Sequence, residues 1–159
     1  IYSSLSVLGR VIFFATIAIG YVVFPVIAEY KTQGKSYQRL AYIALAGVAL
    51  VSFGITMLYF IWPKLFVDLL FGKAFIGVVP YMGLFGLFIS FFSLSSLIVT
   101  MCLAAEKTSV WIFVSLAAVS QIILISLFHD SLYTITLNNI LISGGLFASL
   151  LLYFAYARR

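Results

Sequence analysis

Arg10 stands inside the first apolar run of the chain, where a guanidinium group is costly and cannot lose its proton. A helix would place it on one face with Ser3, Ser6 and Tyr21, because these positions recur at spacings built from three and four residues. The planar fork of an arginine fits the paired oxygens of a phosphate or pyrophosphate. One interpretation is therefore a site for an anionic substrate, with Arg10, Ser6, Ser3 and Tyr21 as its substrate-binding residues.

Arg10 also has a simpler interpretation, in which it binds nothing. As a helix, the apolar part of the run from Leu5 to Ala28 would be about 36 Å long, and Arg10 would lie about 10 Å from its middle. Helical side chains lean toward the N-terminus of their helix. The guanidinium group could therefore snorkel to the nearer headgroups at modest cost, so both interpretations remain open from the residues alone.

Two further residues of the same run predict a conformational hinge. Pro25 lacks a backbone N–H and should bend the helix near its end, and Gly20 leaves room for that bend. Acidic residues, in contrast, fall only at the ends of apolar runs or between them, so no buried carboxylate is present for an ion relay. Cys102 is the sole cysteine. His129 is next to Asp130, and we interpret the two as residues of a solvent-exposed turn. We therefore expect no catalytic centre, no metal site and no cofactor.

The elements that must position these residues are membrane-spanning helices. Hydrophobic residues make up 65% of the chain and charged residues only 8%, with a mean hydropathy of +1.24, whereas soluble domains carry about 25% charged residues. Five continuous apolar runs are long enough to cross the membrane, and an amphipathic stretch predicts a short outer interfacial helix. The predicted fold is an all-α integral membrane protein with transmembrane helices at about 4–28, 40–62, 78–103, 109–128 and 135–157, and the interfacial helix at about 64–72.

Small and hydroxylated side chains recur at helical spacing in these runs. Because small residues let helices approach closely inside a bilayer, we favour helix packing over a substrate-lining role. Gln121, midway along the fourth run, predicts an interhelical hydrogen bond for a related reason. The predicted helix-packing residues are Gly83, Gly86, Ser90 and Ser93 in the third run, and Gly47 and Gly54 in the second.

Basic residues lie mostly on one predicted side of the membrane. If the runs alternate, segments 29–39 and 104–108 and the C-terminus share a side and hold six basic residues, against two on the other side when Arg10 is set aside. The positive-inside rule places the richer side, and with it the C-terminus, in the cytoplasm. The net charge of +5 is then explained by membrane orientation, and we expect no nucleic-acid partner.

Three segments, read in order, resemble the polysaccharide (O-antigen-type) flippases of the MOP exporter superfamily. They are "YSSLSVLGRVIFFATIAIGYVVFPVIAEY", "LYFIWPKLFVDLLFGKAF" and "VPYMGLFGLFISFFSLSSLIVTMCLA". The matching features are a tyrosine–serine opening, a glycine–basic pair, a phenylalanine–proline near the end of the first span, and a proline that opens the third span. The likeness covers most of residues 2–105.

The resemblance implies a fold of two helical bundles around a central cavity, of which this chain would be the C-terminal bundle and a further N-terminal bundle would be missing. It implies a transporter of the bacterial cytoplasmic membrane that moves oligosaccharides linked to polyprenyl pyrophosphate to the outer leaflet, with membrane lipids and a polysaccharide polymerase as further partners. Arg10 would line the cavity, and Pro25 and Gly20 would bend during transport. Two alternatives stay open: a non-transporting membrane scaffold, and a drug–cation antiporter of the same superfamily, which a buried acidic residue would favour.

Overall fold

The structure is a computed structural model that describes residues 2–70, 77–128 and 131–156. Every regular element in these ranges is helical. Apart from α3, each of the helices named below is long and apolar enough to cross a membrane, which confirms the predicted multi-span helical fold. The helices are α1 (Tyr2–Thr32), α2 (Gln38–Ile61), α3 (Pro63–Leu70), α4 (Val79–Ala104), α5 (Val110–Leu127) and α6 (Leu132–Tyr156).

Helix α1 continues about one turn beyond the predicted end at residue 28. It stops where Gly34 adopts a φ of 66°, a conformation that glycine tolerates best. The Gly34 N–H donates to the Lys31 carbonyl at 3.0 Å, and the Lys35 N–H donates to the Tyr30 carbonyl at 2.8 Å, which together close the helix. The predicted end of the helix is the end of the apolar run. Hydropathy indicates which residues can lie in the membrane, whereas the cap at Gly34 determines where the helix ends.

Helix α6 begins earlier than predicted for a similar reason. The Ser131 hydroxyl accepts a hydrogen bond from the Thr134 N–H at 3.2 Å, so Ser131 caps the first turn. Helix α3 lies where the short amphipathic helix was expected, although residues 71 and 72 of that prediction fall outside the described residues. Its Val67 is fully buried, and its Phe66 ring packs against Tyr59 of α2.

Helix α4 is the central element of the bundle. It packs against α1, α2 and α6, whereas α5 contacts mainly α6. Half of the most apolar stretch of α4 is buried within the chain, compared with 6% of that of α5. The core divides into one cluster near the start of α1 and another near its end, so the two ends of the bundle are packed separately.

Three of the predicted helix-packing residues lie where α4 meets α2. A β-carbon on Gly83 would come within 2.5 Å of the Phe60 ring, and one on Gly86 would lie 3.0 Å from the Thr56 Oγ1 atom. The Ser90 hydroxyl donates to the Gly86 carbonyl at 2.9 Å, so its 2.9 Å contact with Thr56 is a hydrogen bond donated by the threonine. These residues let the two helices approach closely and join them by a buried hydroxyl pair.

The other three predicted packing residues lie elsewhere. Ser93 is buried on the side of α4 that faces α1, and Gly47 makes only an ordinary contact with Ile19 of α1, 3.8 Å from its β-carbon position. Gly54 is exposed, and no atom lies within 4 Å of its β-carbon position among the described residues. The expectation for Gly54 is corrected because the buried face of α2 is formed by Ser52, Thr56 and Tyr59, a face that excludes it.

Candidate functional site

Arg10 is exposed on the outward face of α1. Phe14 and Tyr21 are exposed on the same face, and Ser6 and Ile17 are half-buried at its edge. Arg10 makes no hydrogen bond or ion pair with any residue that the structure describes. The predicted face therefore points away from the bundle core, with its charge uncompensated inside this part of the chain.

The turn before Arg10 is held by both neighbouring helices. The Tyr59 hydroxyl of α2 donates to the Leu8 carbonyl at 3.1 Å, and Tyr59 is only 2% exposed. A β-carbon on Gly9 would lie 2.7 Å from the Phe85 ring of α4, so α1 and α4 are in close contact there. Sequence reasoning missed both positioning roles. The sequence pattern identifies Gly9 only as part of a glycine–basic pair, and it assigns no role to Tyr59.

Tyr21 lines a groove between α1 and α4. The groove has a volume of about 450 Å³, and its wall combines apolar side chains with hydroxyl groups. Arg10 lies on the same helix face about 10 Å along the axis from the start of the groove at Ile17. The wall is formed by Ile17, Gly20, Tyr21 and Phe24 of α1 and by Ser96, Thr100 and Leu103 of α4.

A smaller cavity adjoins the groove and contains the predicted packing residue Ser93. Its volume is about 20 Å³, and it shares Ile17, Gly20, Ser96 and Thr100 with the groove. The Ser93 Oγ atom is buried without a hydrogen-bond partner in the described chain. Since about 10–15 Å³ of such volume holds one water, the cavity has room for the missing partner, and Ser93 belongs to this site.

The hinge residues lie beside the groove. Pro25 is exposed within α1 and has no N–H to donate to the Tyr21 carbonyl one turn earlier. Gly20 is buried, with only an ordinary contact at 3.9 Å from its β-carbon position to Leu97. The helix runs through both residues without interruption, so the structure brings the predicted hinge and the groove together in one stretch of α1.

Gln121 forms the predicted interhelical hydrogen bond. Its Nε2 atom donates to Oδ1 of the buried Asn139 at 3.0 Å, which joins α5 to α6. Both residues line a separate cavity of about 120 Å³ whose far wall includes Phe88 and Phe92 of α4. This polar pair therefore stabilises the α5–α6 contact and lies outside the α1–α4 groove.

At the opposite end of α1 from Arg10, a lysine joins α1 to the end of α4. Lys31 donates to the Ala105 carbonyl at 2.7 Å and forms an ion pair with Glu106. Glu106 has a φ of 58°. Its N–H donates to the Leu103 carbonyl, and the Lys107 N–H donates to the Cys102 carbonyl, so these two hydrogen bonds cap the end of α4. The hydrogen bond and the charge of Lys31 hold the pKa of Glu106 below its usual range.

The same end brings together the segments that the charge pattern placed on one side. Lys35 of the α1–α2 connection, Lys107 of the α4–α5 connection and Phe154 near the end of α6 line one pocket. This arrangement confirms that the three segments share a side of the bundle. Arg158 and Arg159 lie outside the described residues, as do His129 and Asp130, and nothing is described of the Ser3 side chain.

Among the described residues, no three His, Cys, Asp or Glu side chains are grouped so that they could hold a metal ion. Comparisons with protein families, curated proteins and solved structures find no match for this chain.

Proposed function

We propose that the chain forms one helical bundle of a transporter that moves polyprenyl-pyrophosphate-linked oligosaccharide across the bacterial cytoplasmic membrane for surface polysaccharide synthesis. The observation that carries this proposal is the placement of Arg10, exposed on α1 and unpaired within the described chain, in line with the α1–α4 groove. An intramembrane arginine that faces out of its own bundle needs a counter-charge or water. A pyrophosphate in a cavity between two bundles would supply that counter-charge.

The groove complements the arginine in its chemistry. Tyr21 and Phe24 offer aromatic surface, and Ser96 and Thr100 offer hydroxyl groups, within a mostly apolar wall. A substrate with an anionic linkage and a long apolar chain presents both kinds of surface. In this proposal a further bundle forms the opposite wall, the basic end of the chain faces the cytoplasm, and a polysaccharide polymerase receives the translocated product.

The membrane scaffold remains the second candidate, because the exposure of Arg10 also suits a side chain that snorkels to headgroups. The drug–cation antiporter has less support. The acidic residues that the structure describes, Glu29, Asp68 and Glu106, lie in the last turn of α1, on the short helix α3 and in the α4–α5 connection. None of them is placed to bind a cation in the middle of a span.

The decisive experiment replaces Arg10 by Ala and by Lys in the native membrane. We expect Arg10→Ala to lower surface polysaccharide about tenfold or more, with lipid-linked intermediate accumulating on the cytoplasmic leaflet, because a charge-assisted bidentate contact is lost. Arg10→Lys should restore activity only in part, since lysine is a point charge without the planar fork. Lys64→Ala, a change of an exposed basic residue on α3, is the matched control.

The scaffold makes a different prediction for the same variants. If Arg10 only snorkels, Lys replaces it fully, because both side chains reach the headgroups. Full polysaccharide levels in Arg10→Lys, or unchanged levels in Arg10→Ala at equal protein abundance, would contradict the proposed transport role of this residue.

A further inference from the structure

At the end of the bundle that carries the Lys31–Glu106 pair, three parts of the chain surround an open pocket of about 300 Å³, which we name the basic pocket. It lies near the end of α1 that is opposite to Arg10, and none of its described lining residues also lines the α1–α4 groove. The α1–α2 connection and the start of α2 supply most of its wall. The lining residues are Gly34, Lys35, Ser36, Tyr37, Gln38, Lys107 and Phe154.

We propose that the basic pocket binds the phosphate headgroup of an anionic membrane lipid. Lys35 and Lys107, which are far apart in sequence, both line it from two different connections. Among the lining residues that the structure describes, none has an acidic side chain. Glu106, the acidic neighbour of Lys107 in the sequence, forms an ion pair with Lys31.

The remaining wall suits a headgroup that is polar on one side and joined to apolar chains on the other. Ser36 and Gln38 add side-chain hydrogen-bonding groups, and buried Phe154 adds an apolar surface. Tyr37 precedes α2 without a side-chain cap, so the first N–H groups of the helix remain as further donors beside the lysines. Phosphate oxygens accept such hydrogen bonds strongly.

Size and position favour a lipid over a larger ligand. Ligand pockets span about 300–1,000 Å³, so the basic pocket is at the small end and suits a headgroup rather than an oligosaccharide. It lies at the helix ends, where headgroups are found, on the side that holds most of the basic residues. Basic pockets between transmembrane helices on the cytoplasmic side bind anionic headgroups in other membrane proteins. The site would act in a transporter and in a scaffold alike, so it does not depend on the proposed function.

The test is native mass spectrometry of the full chain released from nanodiscs of phosphatidylglycerol or of phosphatidylcholine. We expect one phosphatidylglycerol to remain bound per chain after stepwise delipidation, and no phosphatidylcholine. Lys35→Gln and Lys107→Gln should each lower the retained fraction about fivefold, the effect of one basic residue at an anionic surface. Arg39→Gln removes a charge from an exposed residue of the same end that does not line the basic pocket, so it is the matched control and should retain the lipid.

Several outcomes would overturn the proposal. Equal loss of lipid in Arg39→Gln would mean that diffuse surface charge, and not the basic pocket, holds the lipid. Displacement of the lipid by millimolar inorganic phosphate would make a free phosphate ion the occupant. Retention of the lipid in the Lys35→Gln, Lys107→Gln double variant, with circular dichroism unchanged, would place the lipid elsewhere on the bundle.

Discussion

At the scale of single residues, Gly9 shows how a close approach of two helices fixes the position of a charge. Gly9→Ala would place a methyl group 2.7 Å from the Phe85 ring and 2.9 Å from Ile89, so either these side chains or α1 must shift. We expect a loss of about 1–3 kcal/mol in the free energy of unfolding, as for other overpacked cores. The measurement is reversible unfolding in detergent, in which the loss of helix is monitored by circular dichroism.

Gly54→Ala is the matched control for Gly9→Ala. Gly54 also lies within a spanning helix, but no atom of the described residues lies within 4 Å of its β-carbon position. The added methyl group should be neutral, or stabilising by up to about 1 kcal/mol through helix propensity. Equal destabilisation by the two substitutions would show that the close α1–α4 contact is not what makes Gly9 sensitive.

Glu106 predicts a pH dependence of stability. Its pKa is lowered in the folded chain by the Lys31 hydrogen bond and charge, so the unfolded chain binds protons more readily at this position. The contribution of the pair is therefore complete above the ordinary glutamate pKa of about 4.3, and it is lost as the pH falls below that value. The melting temperature of the wild type should approach that of Glu106→Gln as the pH falls from 7 to 3, whereas a constant difference would contradict the assignment.

Sequence spacing at this scale predicts which residues share a face but not what that face meets. It placed Arg10 and Tyr21 on one side of α1, and the structure finds both exposed there. It grouped Ser93 with Ser90, yet Ser90 bonds toward α2 and Ser93 lines the cavity beside α1. Side chains three residues apart on a helix point in directions that differ by about 60°. On α4, which is surrounded by other helices, this difference is enough for the two side chains to contact different neighbours.

At the scale of elements, the hydroxyl pair between α2 and α4 predicts a measurable coupling. Thr56 and Ser90 are both buried and 2.9 Å apart, so each single substitution, Thr56→Val or Ser90→Ala, removes the same hydrogen bond. A double-mutant cycle should give a coupling of about 0.6 kcal/mol, and at most about 1.7, as for other hydrogen bonds between transmembrane helices. Unfolding in mixed micelles supplies the four free energies.

Ser95 provides the control for that cycle. Its hydroxyl is on the same helix but donates to the Phe91 carbonyl one turn earlier at 2.9 Å. A cycle of Thr56→Val with Ser95→Ala should therefore give coupling near zero. Coupling of similar size in both cycles would point to a general change in α4 and not to the Thr56–Ser90 bond.

The number and type of the helices could be predicted because a bilayer imposes length and hydropathy on every span. Their ends could not, because they depend on capping groups such as Gly34 and Ser131 that hydropathy does not register. The centrality of α4 was also not predictable, since α4 and α5 are about equally apolar and only the fold distinguishes a surrounded helix from a peripheral one. The α1–α4 groove depends on that arrangement and so lay beyond sequence reasoning, although several of its residues had been named.

At the scale of the whole molecule, the basic residues predict the orientation of the bundle in the membrane. Ser36 and Thr108 are exposed in the two connections at the basic end, and Asp68 is exposed on α3 near the other end. In a Cys102→Ala background, single cysteines at Ser36 and Thr108 should react with a membrane-impermeant maleimide only after the cells are permeabilised. A cysteine at Asp68 should react in intact cells whose outer layers admit the reagent.

The three labelling results separate the fold from its orientation. Because Lys35 and Lys107, neighbours of Ser36 and Thr108, line one pocket, those two cysteines must behave alike whatever the orientation. Different accessibility for them would contradict the arrangement of α1, α2, α4 and α5. If they agree but react from outside while Asp68→Cys does not, the fold stands and the orientation is reversed. The positive-inside argument would then fail, Arg10 would lie toward the cytoplasmic leaflet, and a pyrophosphate would meet it on entry to the transporter rather than on exit.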